Sequence, residues 1–153
     1  MPKRIWAVIS VGFALCMSVL DVNIINIVLP TLSHDFGTSP AVTTWIINGY
    51  QLAIVVSLLS FSALGEIIGY RKVYLSGIGL FCITSLICAL SDSFWTLTIA
   101  RIFQGFSASA ITSVNTAQLR YIYPKSQLGR GMGINAMVVA ISAAAGPSVA
   151  SGI

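Results

Sequence analysis

Asp21 and Arg101 are charged residues inside stretches that are otherwise apolar, 5–29 and 94–118. An ionised side chain held in hydrocarbon is costly, so such residues face protein or a water-filled cavity and have a partner. A carboxylate opposite a guanidinium can do proton chemistry. Burial favours the neutral acid and a nearby cation favours the carboxylate, so a moving partner or an arriving cation switches protonation. Asn23 and Asn26 follow Asp21 closely and add polar groups to the same stretch. Two plainer roles stay open: each charge can snorkel to an interface, or the pair can simply lock two helices together.

No second chemical constellation accompanies these two residues. There is one histidine, His34, and the three cysteines (Cys16, Cys82, Cys88) sit in apolar stretches without a CxxC pair. That pattern indicates neither a disulfide framework nor a zinc site, and small packing residues are the expected role of the thiols. Without metal-spaced ligands or a Ser/His/Asp arrangement, no enzyme is expected. Gly129, Gly131 and Gly133 loosely suggest a dinucleotide loop. No strand precedes them and an apolar span follows, which excludes that reading.

The elements that must position Asp21 and Arg101 follow from composition. Hydrophobic residues make up 56% of the chain, charged residues 8%, and mean hydropathy is +0.91. A soluble domain carries roughly a quarter of its residues as charges, so lipid is the expected solvent. The net charge of +4 lies between apolar runs and forms no basic face, which points to membrane topology and away from nucleic acid. A bilayer core about 30 Å thick needs roughly 20 apolar residues per helix. Five such segments are expected, at approximately 5–29, 41–64, 73–90, 94–118 and 131–153. Turn signals separate them: Pro30 and 37–40, then 65–69, 91–93 and 123–125. The runs do not alternate as barrel strands do. Lys3 and Arg4 before the first run resemble a signal peptide, but the run is long and no small-residue cleavage site follows, so a retained first helix is expected.

Orientation follows from the bases. Lys3, Arg4, Arg71, Lys72, Arg120, Lys125 and Arg130 all fall on the N-terminal side of the bundle, and 31–40 and 91–93 contain no Lys or Arg. The positive-inside rule puts the N-terminus in the cytoplasm and His34, Asp35 and Asp92 outside. Measured from Pro30 and Phe94, Asp21 and Arg101 then lie roughly 10–14 Å below the outer end, at matching depth.

Several ordered motifs add a family resemblance that covers nearly the whole chain. Leu20 to Pro30 reads LDVNIINIVLP, similar to the first-helix motif LDxTIVNVALP of the 14-helix drug:proton antiporters of the Major Facilitator Superfamily, with Asn23 where Thr is common. Trp45 and Tyr50 match the spacing of the second-helix aromatics, and Arg101-Ile102-Phe103-Gln104-Gly105 matches the RxxQG core of the fourth. Gly146-Pro147, with Gly152, resembles the antiporter motif GPxxGG, although Ile153 replaces its last glycine. Between the second and third helices the superfamily pattern is GxLxDRxGRK. Here Ser62 stands for the leading glycine, Glu66 for the acid, and Ile67 and Tyr70 for two of the bases, while Gly69, Arg71 and Lys72 remain.

The resemblance implies an all-α, polytopic transmembrane bundle of the superfamily's N-terminal half, with helices 1–5 present and helix 6 and the C-terminal half absent. It implies a multi-pass cell-membrane transporter that exports hydrophobic or cationic compounds, driven by a proton gradient without a cofactor and needing the missing half. Asp21 and Arg101 would couple protons. Asn23, Asn26, Asn48, Tyr50, Gln51 and Gln104 would line the cavity, where Trp45 and Tyr50 could receive flat cations. Trp45 and Tyr50 fit an interfacial aromatic belt as well. Glu66, Gly69, Arg71 and Lys72 would form the loop latch, weakened by the missing bases. Gly146-Pro147 permits a bend and close helix approach, as an ordinary packed kink also would. Two alternatives stay open: a truncated, non-transporting helix bundle, and a symporter of small metabolites within the same superfamily.

Overall fold

The computed structural model describes residues 2–122 and 128–150 of the 153. Among them the chain forms helices and no strand. They are α1 (Pro2–Asp35), the single turn α2 (Pro40–Thr43), α3 (Trp45–Ile68), α4 (Tyr70–Ala89), α5 (Phe94–Ile122) and α6 (Leu128–Ala150). Five long helices therefore stand where five apolar segments were expected. Gly12–Asp35, Pro40–Ile68 and Tyr70–Ala89 are each long and apolar enough to cross a membrane by themselves.

α5 is the centre of the bundle. It packs along both α3 and α4 and touches α1, while α6 packs chiefly on α1. Its buried residues include Arg101, Gln104, Ser107, Ser109 and Asn115. A helix shielded by protein on several sides meets little lipid, so it tolerates polar residues that a lipid-facing helix would not.

Small residues bring α5 close to its neighbours. A Cβ on Gly105 would run into the Tyr50 carbonyl and lie 2.8 Å from the Cβ of Ala53. On the α4 side, a Cβ on Gly77 would lie 3.1 Å from the Cβ of Ala110 and 3.2 Å from the Ser107 carbonyl. Ser107 and Ser109 are fully buried, and their hydroxyls donate to the carbonyls of Gln104 at 2.6 Å and Ile54 at 3.3 Å. Glycines and serines thus allow backbones to approach without leaving polar atoms unpaired.

The boundaries correct the sequence reading in several places. The first helix does not stop at Pro30 but continues to Asp35. The carbonyl of Pro30 accepts the Ser33 hydroxyl at 2.7 Å, and the Phe36 N–H reaches the Leu32 carbonyl at 3.0 Å. Local side-chain donors and neighbouring helices let membrane helices carry an internal proline. The second apolar segment begins as α2, with Ser39 as its N-cap and Pro40 in the first turn, and resumes as α3 after Thr44. The expected 65–69 break shrinks to Gly69, whose φ of +99° only glycine adopts readily. α3 therefore extends to Ile68 and α4 starts at Tyr70, moving the expected limits 64 and 73 towards each other. α5 runs past 118 to Ile122, and α6 starts at Leu128 before the expected 131. The expected end at 153 lies outside the described residues.

Gly105→Ala tests this packing. The added methyl meets backbone, so the substitution should destabilise the purified protein by about 1–3 kcal/mol and lower its thermal midpoint in detergent. Gly79→Ala, whose Cβ meets nothing within 4 Å, should leave the midpoint unchanged or raise it.

Candidate functional site

α1 and α5 place the two intramembrane charges against each other. Arg101 Nη1 donates to Asp21 Oδ2 at 2.6 Å, and Gln104 Nε2 donates to Asp21 Oδ1 at 3.3 Å. Arg101 and Gln104 are three residues apart on a helix, so both present to the same neighbour. Each oxygen of the carboxylate thereby has its own donor. The side chains are 9% exposed for Arg101 and 16% for Asp21, and Gln104 is fully buried.

Charge-assisted hydrogen bonds of this kind are short and strong where water is excluded. The network reaches a third helix, because Cys88 Sγ on α4 donates to Gln104 Oε1 at 3.7 Å. The Arg101 Nε–H is buried and has no hydrogen-bond partner among the described residues. A groove of about 400 Å³ between α1, α4 and α5 runs past Asp21, Cys88 and Arg101 to Phe36 and Ser91. The carboxylate is thus held by protein yet borders open space.

Other expected cavity residues are placed differently. Asn23 and Asn26 turn back on their own helix, where their Nδ2 groups donate to Val19 O at 2.8 Å and Val22 O at 3.0 Å. A carbonyl one turn back is the nearest acceptor for a short amide on a helix, so neither joins the Asp21 cluster. Tyr50 does not line an open cavity. It lies in the core, on the face of α3 pressed against Gly105. Gln104 belongs to the buried network and does not line the groove.

Asn48 and Gln51 are exposed on α3, beside a half-exposed Trp45, and border a second groove of about 480 Å³ with Leu52 and Val55. At the α3–α4 junction Glu66, Arg71 and Lys72 are all exposed, and none forms an ion pair among the described residues. α6 runs through Gly146 and Pro147. Their side-chain surroundings, and Gly152, lie outside the described residues.

The sequence reading missed Cys88, which it treated as packing. No local pattern could have found it, since the thiol meets Gln104 only because α4 and α5 lie side by side. Tyr74 is a similar case: its hydroxyl donates to the Ser10 carbonyl at 3.0 Å and ties α4 to α1.

The apolar helices pack around the Asp21–Arg101 pair and a buried glutamine, and comparison with known proteins shows the family. The profile of the Major Facilitator Superfamily matches residues 11–153, and the chain belongs to that family. It is 51% identical over 153 residues to an Escherichia coli (strain K12) protein named uncharacterized transporter YebQ, covering all of this chain and 34% of that protein. It is 32% identical over 148 residues to the riboflavin transporter RibZ of Clostridioides difficile (strain 630), covering 96% of this chain and 32% of RibZ. It is 34% identical over 147 residues to the tetracenomycin C resistance and export protein of Streptomyces glaucescens, covering 95% of this chain and 27% of that one. The chain thus spans about a third of the length of the curated relatives it matches.

The ion pair carries a stability prediction. Arg101→Leu leaves a carboxylate without its main donor and should cost about 3–5 kcal/mol. The double variant Asp21→Leu/Arg101→Leu should recover most of that loss, because no uncompensated charge remains. Unfolding of the two single variants and the double variant in detergent measures the coupling.

Proposed function

We propose that this chain supplies the proton-coupling part of a multi-pass cell-membrane transporter that exports hydrophobic, cationic compounds in exchange for protons. The observation that carries the reading is the Asp21–Arg101 pair, 2.6 Å apart inside an apolar bundle and bordering a groove. A carboxylate in that position has two competitors for its charge, a proton and an arriving cation, and Arg101 balances it when neither is bound. Transport then needs only that the two occupants exclude each other while the bundle changes the side to which the groove opens. Membership of the Major Facilitator Superfamily supports transport, and one relative is named a resistance and export protein. The energy source on this reading is the proton gradient, and the partners are lipid, the small-molecule substrate and the remainder of the transporter.

The distribution of Lys and Arg supports a cytoplasmic N-terminus. Arg71, Lys72 and Arg130 lie at one end of the helices, and the turns at 36–39 and 90–93 carry no base.

One observation favours a second reading, an uncharged planar substrate. The open face of α3 offers an indole at Trp45 and two amides at Asn48 and Gln51 and contains no ionisable group. Such a face suits stacking and hydrogen bonding to a heteroaromatic ring, and one relative is named a riboflavin transporter. On this reading Asp21 still carries the proton, and only the substrate's charge differs.

Asp21→Asn in the intact transporter should reduce proton-driven efflux of cationic dyes to the level of cells lacking the protein, with unchanged abundance in the membrane. Efflux that persists at the wild-type rate would remove Asp21 from the coupling step. For orientation, a membrane-impermeant thiol reagent added to intact cells should label a cysteine introduced as Asp92→Cys and leave one introduced as Lys72→Cys unlabelled. The reverse pattern would invert the bundle.

A further inference from the structure

Among the described residues, Gln104 is the one uncharged side chain that hydrogen-bonds the Asp21 carboxylate, and both ends of its amide are engaged. Nε2 donates to Asp21 Oδ1 at 3.3 Å, and Oε1 accepts from Cys88 Sγ at 3.7 Å. The side chain is fully buried, so no water from bulk competes for either end. Arg101 holds the other oxygen, Oδ2, at 2.6 Å. The two donors on the carboxylate are unequal. The guanidinium bond is short and charged, while the amide bond is long and neutral, so Oδ1 is the oxygen that can give up its donor to take a proton.

A proton on Oδ1 turns that atom from an acceptor into a donor. With that O–H directed at the amide it faces the Gln104 N–H, donor against donor, in a space where an unmade hydrogen bond is costly. Rotation of the amide by half a turn removes the conflict. Oε1 then accepts the new O–H from Asp21, and Nε2 swings to the Cys88 side. A thiol is both a weak donor and a weak acceptor, so Cys88 satisfies either orientation: S–H to the carbonyl before rotation, and sulfur receiving N–H after it. Alanine or valine at that position would satisfy neither. The exchange makes one O–H bond from the incoming proton and swaps hydrogen bonds, and nothing else changes.

We propose that Gln104 is a proton-sensing amide, flipping when Asp21 is protonated, and that Cys88 is the positioning residue that accommodates both orientations. The proposal rests on the reading of Asp21 as the proton carrier. Its consequence is that α4 receives the protonation state of α1 through α5, across three helices and without displacing the Arg101 contact. Other titratable groups around Asp21 are Arg101 on α5, Tyr50 on α3 and Cys88 itself. Side chains of these three types ordinarily keep their protons between acid and neutral pH, which leaves the carboxyl as the switch.

Infrared difference spectroscopy of the intact transporter in lipid, with every cysteine except Cys88 replaced by alanine, tests this directly. The S–H stretch lies where other protein groups do not absorb, and hydrogen bonding to a carbonyl lowers its frequency. The carboxylic C=O band, identified as the one lost in Asp21→Asn, reports the proton on Asp21 independently. On acidification the S–H band should move to higher frequency in step with the appearance of that C=O band. In Gln104→Leu the S–H band should sit at the unbonded position at every pH. A titrating C=O band with an unmoved S–H band overturns the sensor and leaves the proton carrier standing. A C=O band that never titrates removes the proton carrier, and the sensor with it.

Discussion

A charge in hydrocarbon has to be answered by another charge, and in this protein that requirement fixes where the central helix lies. Asp21 on α1 and Arg101 on α5 are far apart in the chain, and neither has an alternative partner of opposite sign within reach in the described bundle. The pair therefore sets the relative height of the two helices. It also sets the rotation of α5, because the face that presents Arg101 presents Gln104 three residues on. A helix pinned in this way surrenders its other faces to α3 and α4, where glycine and serine must replace larger residues to let backbones approach. The polar character of α5 and its central position are two sides of the same constraint.

The cost of that arrangement is concentrated in one small region. Arg101, Asp21, Gln104 and Cys88 form a connected chain of donors and acceptors drawn from three helices, with one Arg101 N–H left unanswered. Partly satisfied buried networks are sensitive to any change in their members. The open face of α3 is different in kind. Trp45, Asn48 and Gln51 offer stacking and neutral hydrogen bonds without charge. The charged network and the neutral open face thus lie on separate faces of the bundle.

Much of the architecture was legible from residue type alone. Five apolar runs, their approximate positions and the exclusion of a soluble fold follow from the absence of charge, and matching depth allows Asp21 and Arg101 to pair without excluding that each snorkels. Boundaries were less legible. Pro30 looked like a terminus and is internal: the helix runs on to Asp35, with the Ser33 hydroxyl bonded to the Pro30 carbonyl. Asn23 and Asn26 looked like cavity-lining residues by their place beside Asp21, yet each amide donates to an acceptor one turn back on α1. Tyr50 carried the right type for a cavity but is buried in the core, its backbone carbonyl against Gly105.

What the amino-acid sequence determined by itself is the solvent, the number of long helices and the matching depth of Asp21 and Arg101. These depend on counts and on distances along a helix, which one dimension contains. Only the tertiary structure decided that Gln104 completes the carboxylate's shell, that Cys88 completes the amide's, and that Tyr50 is core while Asn48 and Gln51 are open. Each of those depends on the rotation of one helix against another, which side-chain packing sets across gaps in the chain that periodicity cannot bridge.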